Sequence, residues 1–414
     1  MSSFFNYIFY ILVFLAVYGQ VFYFVTFLEN RKKIVTRKGV VKLYNYPYVT
    51  IAMPCWNEET TIVKSVESLL DLNYPKDKVQ IFLVDDGSTD NTWKVMQKFA
   101  TYPNIKIFQK INGGKHTALN LALENCNTEF FGCLDADSFA DRESLVRIMS
   151  YFEKDPDAMA VVPSLIVNNP KSIVQSAQQT EYNMGVYMKK MLGFMGAINV
   201  TPGPLTIFRK KVFDELGNYH RAHNTEDMEI AFRMQKNHYK IDHCNDAFVY
   251  TNTPDTLWKL YKQRLRWIYG FINNAIDYKD IILNPKYGNF ATFALPLSVV
   301  SSVSVSYLFG KMIYSMCNLV YSKYLQYKAI GFSFNIHHLN FDPFFINLQS
   351  FTFMSAVIYF SVLFAIIFGR WMSKEKNLFS WKILYFFPVF GIIAPFGILK
   401  GVYHTILRRK PNWR

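Results

Sequence analysis

The chain has 414 residues, 51% hydrophobic and only 18% charged, with a formal net charge of +14. That length holds one large domain and something more, and the apolar excess places part of the chain in lipid. The basic residues gather beside apolar segments, as in Arg31-Lys32-Lys33 and Arg408-Arg409-Lys410, which fits membrane flanks and argues against nucleic acid as a partner. The five cysteines (Cys55, Cys126, Cys133, Cys244, Cys317) have no metal-ligand spacing and read as reduced thiols of a cytosolic domain.

Phe4–Leu28 carries no charge and is long enough to cross a bilayer. It has no basic residues before it and no small-residue cleavage site after it, so it reads as an uncleaved membrane helix, followed by cytoplasmic chain from Arg31. From Tyr46 strands and helices alternate. Strands are expected at Val49–Pro54, Val79–Val84, Ile105–Phe108, the run ending at Asp135, Ala158–Pro163 and Tyr239–Thr251. Helices are expected over Asn57–Leu70, after Asp90 as a cap, after Gly113-Gly114, over Asn169–Met195, and from Asn224-Thr225, where either residue can cap. Asp255–Ile272 reads as an aromatic, basic helix suited to a membrane surface. This alternation predicts an α/β fold with a mainly parallel sheet.

Three apolar segments close the chain: Phe290–Tyr321, Phe351–Phe368 and Ile383–Ile406, the last carrying Pro388 and Pro395 and so kinked or broken. Three crossings would leave Arg408-Arg409-Lys410 outside, against the charge rule. Either the last segment is re-entrant, or the first is not a simple crossing, or the rule fails here. The organisation is therefore a membrane helix at 1–30, a cytosolic domain at 46–275 and a membrane region at 285–414.

The chemistry starts at Phe130–Asp137, an apolar run that stops at two carboxylates, Asp135 and Asp137. A buried parallel strand ends this way, and ligands bind at the C-terminal ends of such strands. Side chains two apart on extended chain face the same way, so the pair suits Mg²⁺ or Mn²⁺ shared with substrate phosphates. Taken alone it equally suits a solvated strand end or a helix cap. Four more motifs stand in order with it: Pro54-Cys55-Trp56-Asn57-Glu58, Asp85-Asp86-Gly87-Ser88, Thr225-Glu226-Asp227 and Gln263-Arg264-Leu265-Arg266-Trp267.

Together these motifs resemble the processive family 2 glycosyltransferases, the inverting membrane enzymes that include cellulose, chitin, hyaluronan and poly-N-acetylglucosamine synthases. The resemblance covers roughly Tyr46 to Gly270 and implies a GT-A, Rossmann-like domain. It places Pro54, Trp56, Asn57, Glu58, Asp86, Lys115 and Asp135 at the nucleotide-sugar donor, and the divalent ion on Asp135 and Asp137. Trp56 would either stack on the base or pack its loop, and Asp86 would either read the uracil edge or serve the Asp-Gly turn. Lys115 follows Gly113-Gly114 at a helix start, which suits an anion in its own right. The resemblance makes Asp227, with Glu226 beside it, the base that takes the acceptor proton; both also suit a helix N-terminus. Gln263, Arg266 and Trp267 would meet the diphosphate and the acceptor sugar, or Trp267 would anchor the membrane interface.

The reading implied is a membrane-embedded inverting β-glycosyltransferase of the plasma membrane, its catalytic domain cytosolic. It would extend a polysaccharide from a UDP-sugar, UDP-GlcNAc by the form of the last motif, and pass it through its own helices. A single N-terminal segment implies an accessory membrane subunit or a homo-oligomer to complete the channel. Membrane lipid is the remaining partner. Two rivals are a non-processive enzyme adding one sugar to a lipid carrier, and a transport or scaffold subunit with a degenerate transferase domain.

Overall fold

The computed structural model describes residues 2–34, 41–330 and 350–411. After helix α1 (Ser2–Asn30), the first βα units are β1 (Val49–Cys55), α2 (Ile62–Leu70), β2 (Val79–Asp85), α3 (Thr92–Met96), β3 (Ile105–Gln109), α4 (Lys115–Glu124) and β4 (Phe130–Cys133). β1 and β2 are almost wholly buried, as continuous apolar runs in a parallel sheet must be. Then follow β5 (Ser138–Ala140), α5 (Ser144–Lys154), β6 (Ala158–Val167), α6 (Ile173–Phe194), β7 (Ile207–Arg209), α7 (Lys211–Leu216), α8 (Glu226–Lys236), β8 (Lys240–Thr251) and α9 (Leu257–Asp277). The last helices are α10 (Leu295–Ile330), α11 (Ser350–Met372) and α12 (Phe386–Ile406).

The strands form one sheet in the order β3-β2-β1-β4-β7-β6-β8-β5. β1 pairs in parallel with β2 and β4, β2 with β3, and β6 with β8; β7 is antiparallel to β4 and β6, and β5 to β8. The expected fold class holds, with antiparallel insertions in its second half. Several details differ from expectation, among them β6, which runs four residues past Pro163 to Val167. The helix expected from Asn57 begins at Ile62, because Asn57 takes a left-handed backbone (φ 57°) and Asn57–Thr61 turn instead. The strand before the two carboxylates ends at Cys133, leaving Asp135 and Asp137 in the link to β5. α12 is an unbroken helix across Pro395 rather than a broken one.

The chain divides into two compact units, Met1–Phe22 with Leu297–Leu363 and Tyr23–Pro296 with Phe364–Arg414. In the first, Phe9 meets the Tyr307 ring at 6.5 Å, and Lys311 sits 4.3 Å over Phe9. The second contains the sheet and α12. Here α12 presents Gly397 and Gly401, one turn apart, to Ile268 of α9; a Cβ at either would lie 2.9 and 3.0 Å from that side chain. Small residues four apart let helices approach closely without a large side chain between them. Asn273 of α9 also donates to Thr405 Oγ1 at 3.0 Å.

Among the described residues, three helical segments are long and apolar enough to cross a membrane: Tyr7–Lys33, Phe290–Ala329 and Trp381–Ile406. The expected segment Phe351–Phe368 lies inside α11, whose described apolar part, Ala356–Met372, is shorter. The five cysteines are free, and all but Cys317 are buried.

Gly369 of α11 lies directly against the α6 backbone, at the Asn183 carbonyl and 2.9 Å from the Met184 amide for an added Cβ. Backbone cannot give way as a side chain does. Gly369→Ala should therefore destabilise the protein by about 1–3 kcal/mol, read as a lower Tm of the detergent-solubilised chain. An unchanged Tm would mean that the two helices are not in backbone contact.

Candidate active site

Asp135 and Asp137 share the turn after β4, closed by the Ser138 amide donating to the Asp135 carbonyl at 3.0 Å. The extended geometry expected for the pair is absent: pairing with β1 ends where the Leu134 amide meets the Ala52 carbonyl, 2.9 Å away. The turn nevertheless keeps the carboxylates close enough to repel. Asp137 is pushed up to about 7, by burial first and then by Asp135 and Glu58. Lys115, the first residue of α4, places its ammonium 2.5 Å from Asp135 and 3.4 Å from Glu226. Burial opposes its charge, but these two carboxylates hold its pKa well above the ordinary lysine value. Gly203 passes so close that a Cβ there would sit 2.5 Å from the Lys115 ammonium and 2.7 Å from Asp135.

Glu226 and Asp227 open α8. The expected side-chain cap is not made: Thr225 Oγ1 donates to the Ala222 carbonyl and accepts from Asn274 of α9, each at 2.9 Å. The Asp227 carbonyl accepts from the Thr201 amide at 3.0 Å and from its hydroxyl at 2.8 Å, which fixes the start of the helix. Burial disfavours ionised Glu226, yet Lys115 and then its own backbone amide and Arg266 hold its pKa below the ordinary value. Asp227 goes the other way, raised to about 6 by burial and by Glu226. Two adjacent carboxylates thus diverge, one ionised and paired, the other poised to exchange a proton near neutral pH.

The loops after β1 and β2 are locked together. The Asn57 amide donates to Ser88 Oγ at 3.0 Å, and Asn57 Oδ1 accepts from the Thr89 amide at 2.8 Å. The Glu58 amide donates to Thr92 Oγ1 at 2.8 Å, while its carboxylate takes the Thr61 hydroxyl at 2.6 Å. Burial raises the Glu58 pKa. Pro54 pairs with Val84 at the strand ends, and Trp56 remains half-exposed beside them. Asp86 accepts from Lys110 at 2.8 Å and from the Gly113 and Gly114 amides at 3.0 and 2.8 Å. In this structure an internal carboxylate, not an external anion, takes the amides that open α4.

Gln263, Arg266 and Trp267 share α9 as expected. Arg266 donates to the Asn224 carbonyl at 2.8 Å, tying α9 to the loop before Asp227. Gln263 Oε1 is buried without a partner. Gly270 allows this crossing, since a Cβ there would lie 2.8 Å from Thr225 Cβ. His223 stands aside, paired with Asp277 at 2.8 Å.

A divalent ion fits the carboxylate pair. Among the described residues no group of three His, Cys, Asp or Glu could hold a metal. A pair suffices for Mg²⁺ or Mn²⁺ when substrate phosphates and water complete the shell. Burial and then the neighbouring Asp135 and Glu58 disfavour an ionised Asp137, and a cation bound there would favour it.

Several residues of the site carried no sequence signal. Lys189 of α6 interacts electrostatically with Asp227 and Glu181, its pKa lowered to about 8 by burial. Tyr182 is near enough to feel Asp137 and Asp135. Glu181 pairs at 2.6 Å with Arg264, which stands inside the last motif but is given no role there. Gly203 stands between Pro202 and Pro204, and a glycine between prolines could have suggested close backbone approach.

Residues 50–217 match the family described as "Glycosyl transferase family 2". Over 413 residues the chain is 25% identical to a poly-beta-1,6-N-acetyl-D-glucosamine synthase of Staphylococcus epidermidis, covering 98% of this chain and 95% of the relative. A synthase of the same name from Staphylococcus aureus is 27% identical over 312 residues, 74% of each chain. Among solved structures, the mannosyltransferase PcManGT from Pyrobaculum calidifontis, in complex with GDP-Man and Mn2+, superposes with a TM-score of 0.58 at 18% identity, covering 88% of this chain and all of that one. The mainly parallel sheet, the carboxylates beside its strand ends and these matches agree: the chain is a GT-A-fold glycosyltransferase whose residues 50–217 match glycosyl transferase family 2.

Proposed function

We propose that this enzyme extends a β-linked N-acetylglucosamine polysaccharide from UDP-GlcNAc at the membrane, within a catalytic region at 46–275. The observation that carries the reading is the bridge from Asp135 through Lys115 to Glu226, which links the proposed donor and acceptor machinery through one side chain. The names of the staphylococcal relatives, one matched along nearly the whole chain, support the sugar and the polymer.

In this reading the loops carrying Pro54, Trp56, Asn57, Glu58 and Asp86 receive the nucleotide. Asp135 and Asp137 would hold Mg²⁺ or Mn²⁺, which supplies charge neutralisation for the departing diphosphate when bound. Lys115 and Arg266 add positive charge beside the same phosphates. Gln263 and Trp267 orient the acceptor, the indole offering a flat face to a sugar ring. Asp227 accepts the proton of the acceptor hydroxyl as that oxygen bonds to the sugar C1 and the C1–O bond to the diphosphate breaks. Attack from the face opposite the leaving group inverts the anomeric centre. Translocation would use the enzyme's membrane helices, completed by a second copy or an accessory membrane subunit.

The purified full chain, given a panel of UDP-sugars with Mn²⁺ or Mg²⁺, should release UDP fastest from UDP-GlcNAc and yield a polymer ladder. A single short product, or preference for another sugar, overturns the polymer or the donor assignment respectively. Asp227→Asn should lower kcat by about 10²–10⁴-fold, the usual range for a general base; near-normal turnover removes Asp227 from that role. The base works as the carboxylate, and its pKa is about 6. kcat/KM should therefore be flat above neutrality and fall as pH drops through about 6, which a pH–rate profile reads directly; a flat profile down to pH about 5 would contradict the assignment.

A further inference from the structure

Behind Trp267 stands a charged cluster that the proposed chemistry does not use. Arg264 of α9 is buried and donates through Nη2 to Glu181 Oε2 of α6 at 2.6 Å. Its guanidinium lies 4.1 Å from the centroid of the Trp267 ring and 5.4 Å from that of Phe390 on α12. One side chain thus joins α6, α9 and the apolar helix α12. Burial raises the Glu181 pKa, and Arg264 pulls it back. Well-packed apolar residues often replace a buried ion pair with no loss of stability, so such a pair is weak evidence of a stabilising role. Its geometry suggests another use. The planar guanidinium matches the indole plane, and its charge favours the ring face. Trp267 is only half-buried, so part of the indole stays accessible.

We propose that Glu181 and Arg264 are positioning residues for the acceptor. Glu181 fixes the guanidinium, the guanidinium covers one face of the Trp267 indole, and the indole is held with its other face to the sugar ring. This rests on the reading of Trp267 as the acceptor platform. The arrangement requires arginine, because lysine keeps the charge and an ion pair but has no plane to lay against the ring.

The test uses the full chain in detergent with Mn²⁺, varying β-linked N-acetylglucosamine oligosaccharide acceptors at saturating UDP-GlcNAc and, separately, UDP-GlcNAc at saturating acceptor. Glu181→Gln and Arg264→Met should raise the acceptor KM about three- to tenfold and leave the donor KM within about twofold, with Arg264→Lys between them and wild type. In a double-mutant cycle, Glu181→Gln should add little to the effect of Trp267→Ala, because it acts through the indole. An unchanged acceptor KM in Glu181→Gln overturns the proposal, as do additive effects in the cycle or a parallel rise in both KM values. If Arg264→Met does not fold, judged by size exclusion, Glu181→Gln and Arg264→Lys decide. Should Trp267→Ala itself leave the acceptor KM untouched, the platform reading falls and this inference falls with it; a Trp267→Ala defect without a Glu181→Gln defect sinks the inference alone.

Discussion

Four carboxylates around one ammonium govern this site. Asp135, Asp137, Glu226 and Asp227 come from the end of β4 and the start of α8, and Lys115 stands between the two groups. Carboxylates so close cannot all ionise without compensation. The protein resolves this unevenly. Glu226 stays ionised beside Lys115, while Asp137 and Asp227 are pushed up to about 7 and about 6. In the proposed function this cluster would receive a divalent ion at Asp135 and Asp137 and a proton at Asp227.

The scaffold that holds these groups is built from close backbone approaches as much as from side chains. Gly203 lies against Asp135 and Lys115, Gly270 lets α9 cross Thr225, and Gly397 and Gly401 let α12 sit under α9. Each glycine removes a Cβ where a side chain would hold two elements apart. As a result α9 touches the loop before Asp227 through Arg266 and an apolar, membrane-suited helix through Ile268. The proposed acceptor residues therefore sit on the element that connects the loop before Asp227 to α12.

Much of this was legible in the sequence, for physical reasons. Parallel strands buried on both faces read as nearly unbroken apolar runs, so β1 and β2 lie within a residue of expectation; the half-exposed edge strand β3 does so too, on its Ile-Lys-Ile alternation. The carboxylate motifs stood at strand ends and at a helix start, where fold rules place ligands. Local backbone detail was less legible. Asn57 adopts a left-handed conformation that delays α2, and Thr225 turns its hydroxyl toward Asn274, about fifty residues along the chain, instead of capping α8. The partners of Lys115, Glu181 and Arg264 are set by which helices cross, and no short-range pattern encodes that.

The central claim is that Asp135 and Asp137 bind the metal of a donor site shared with Lys115 and α8. The most direct measurement is Mn²⁺ binding to the purified full chain, followed by electron paramagnetic resonance with and without UDP, in wild type and Asp137→Asn. The account predicts that UDP strengthens Mn²⁺ binding in the wild type and that the variant loses this enhancement while remaining folded. Equal, UDP-independent binding in both proteins would contradict it.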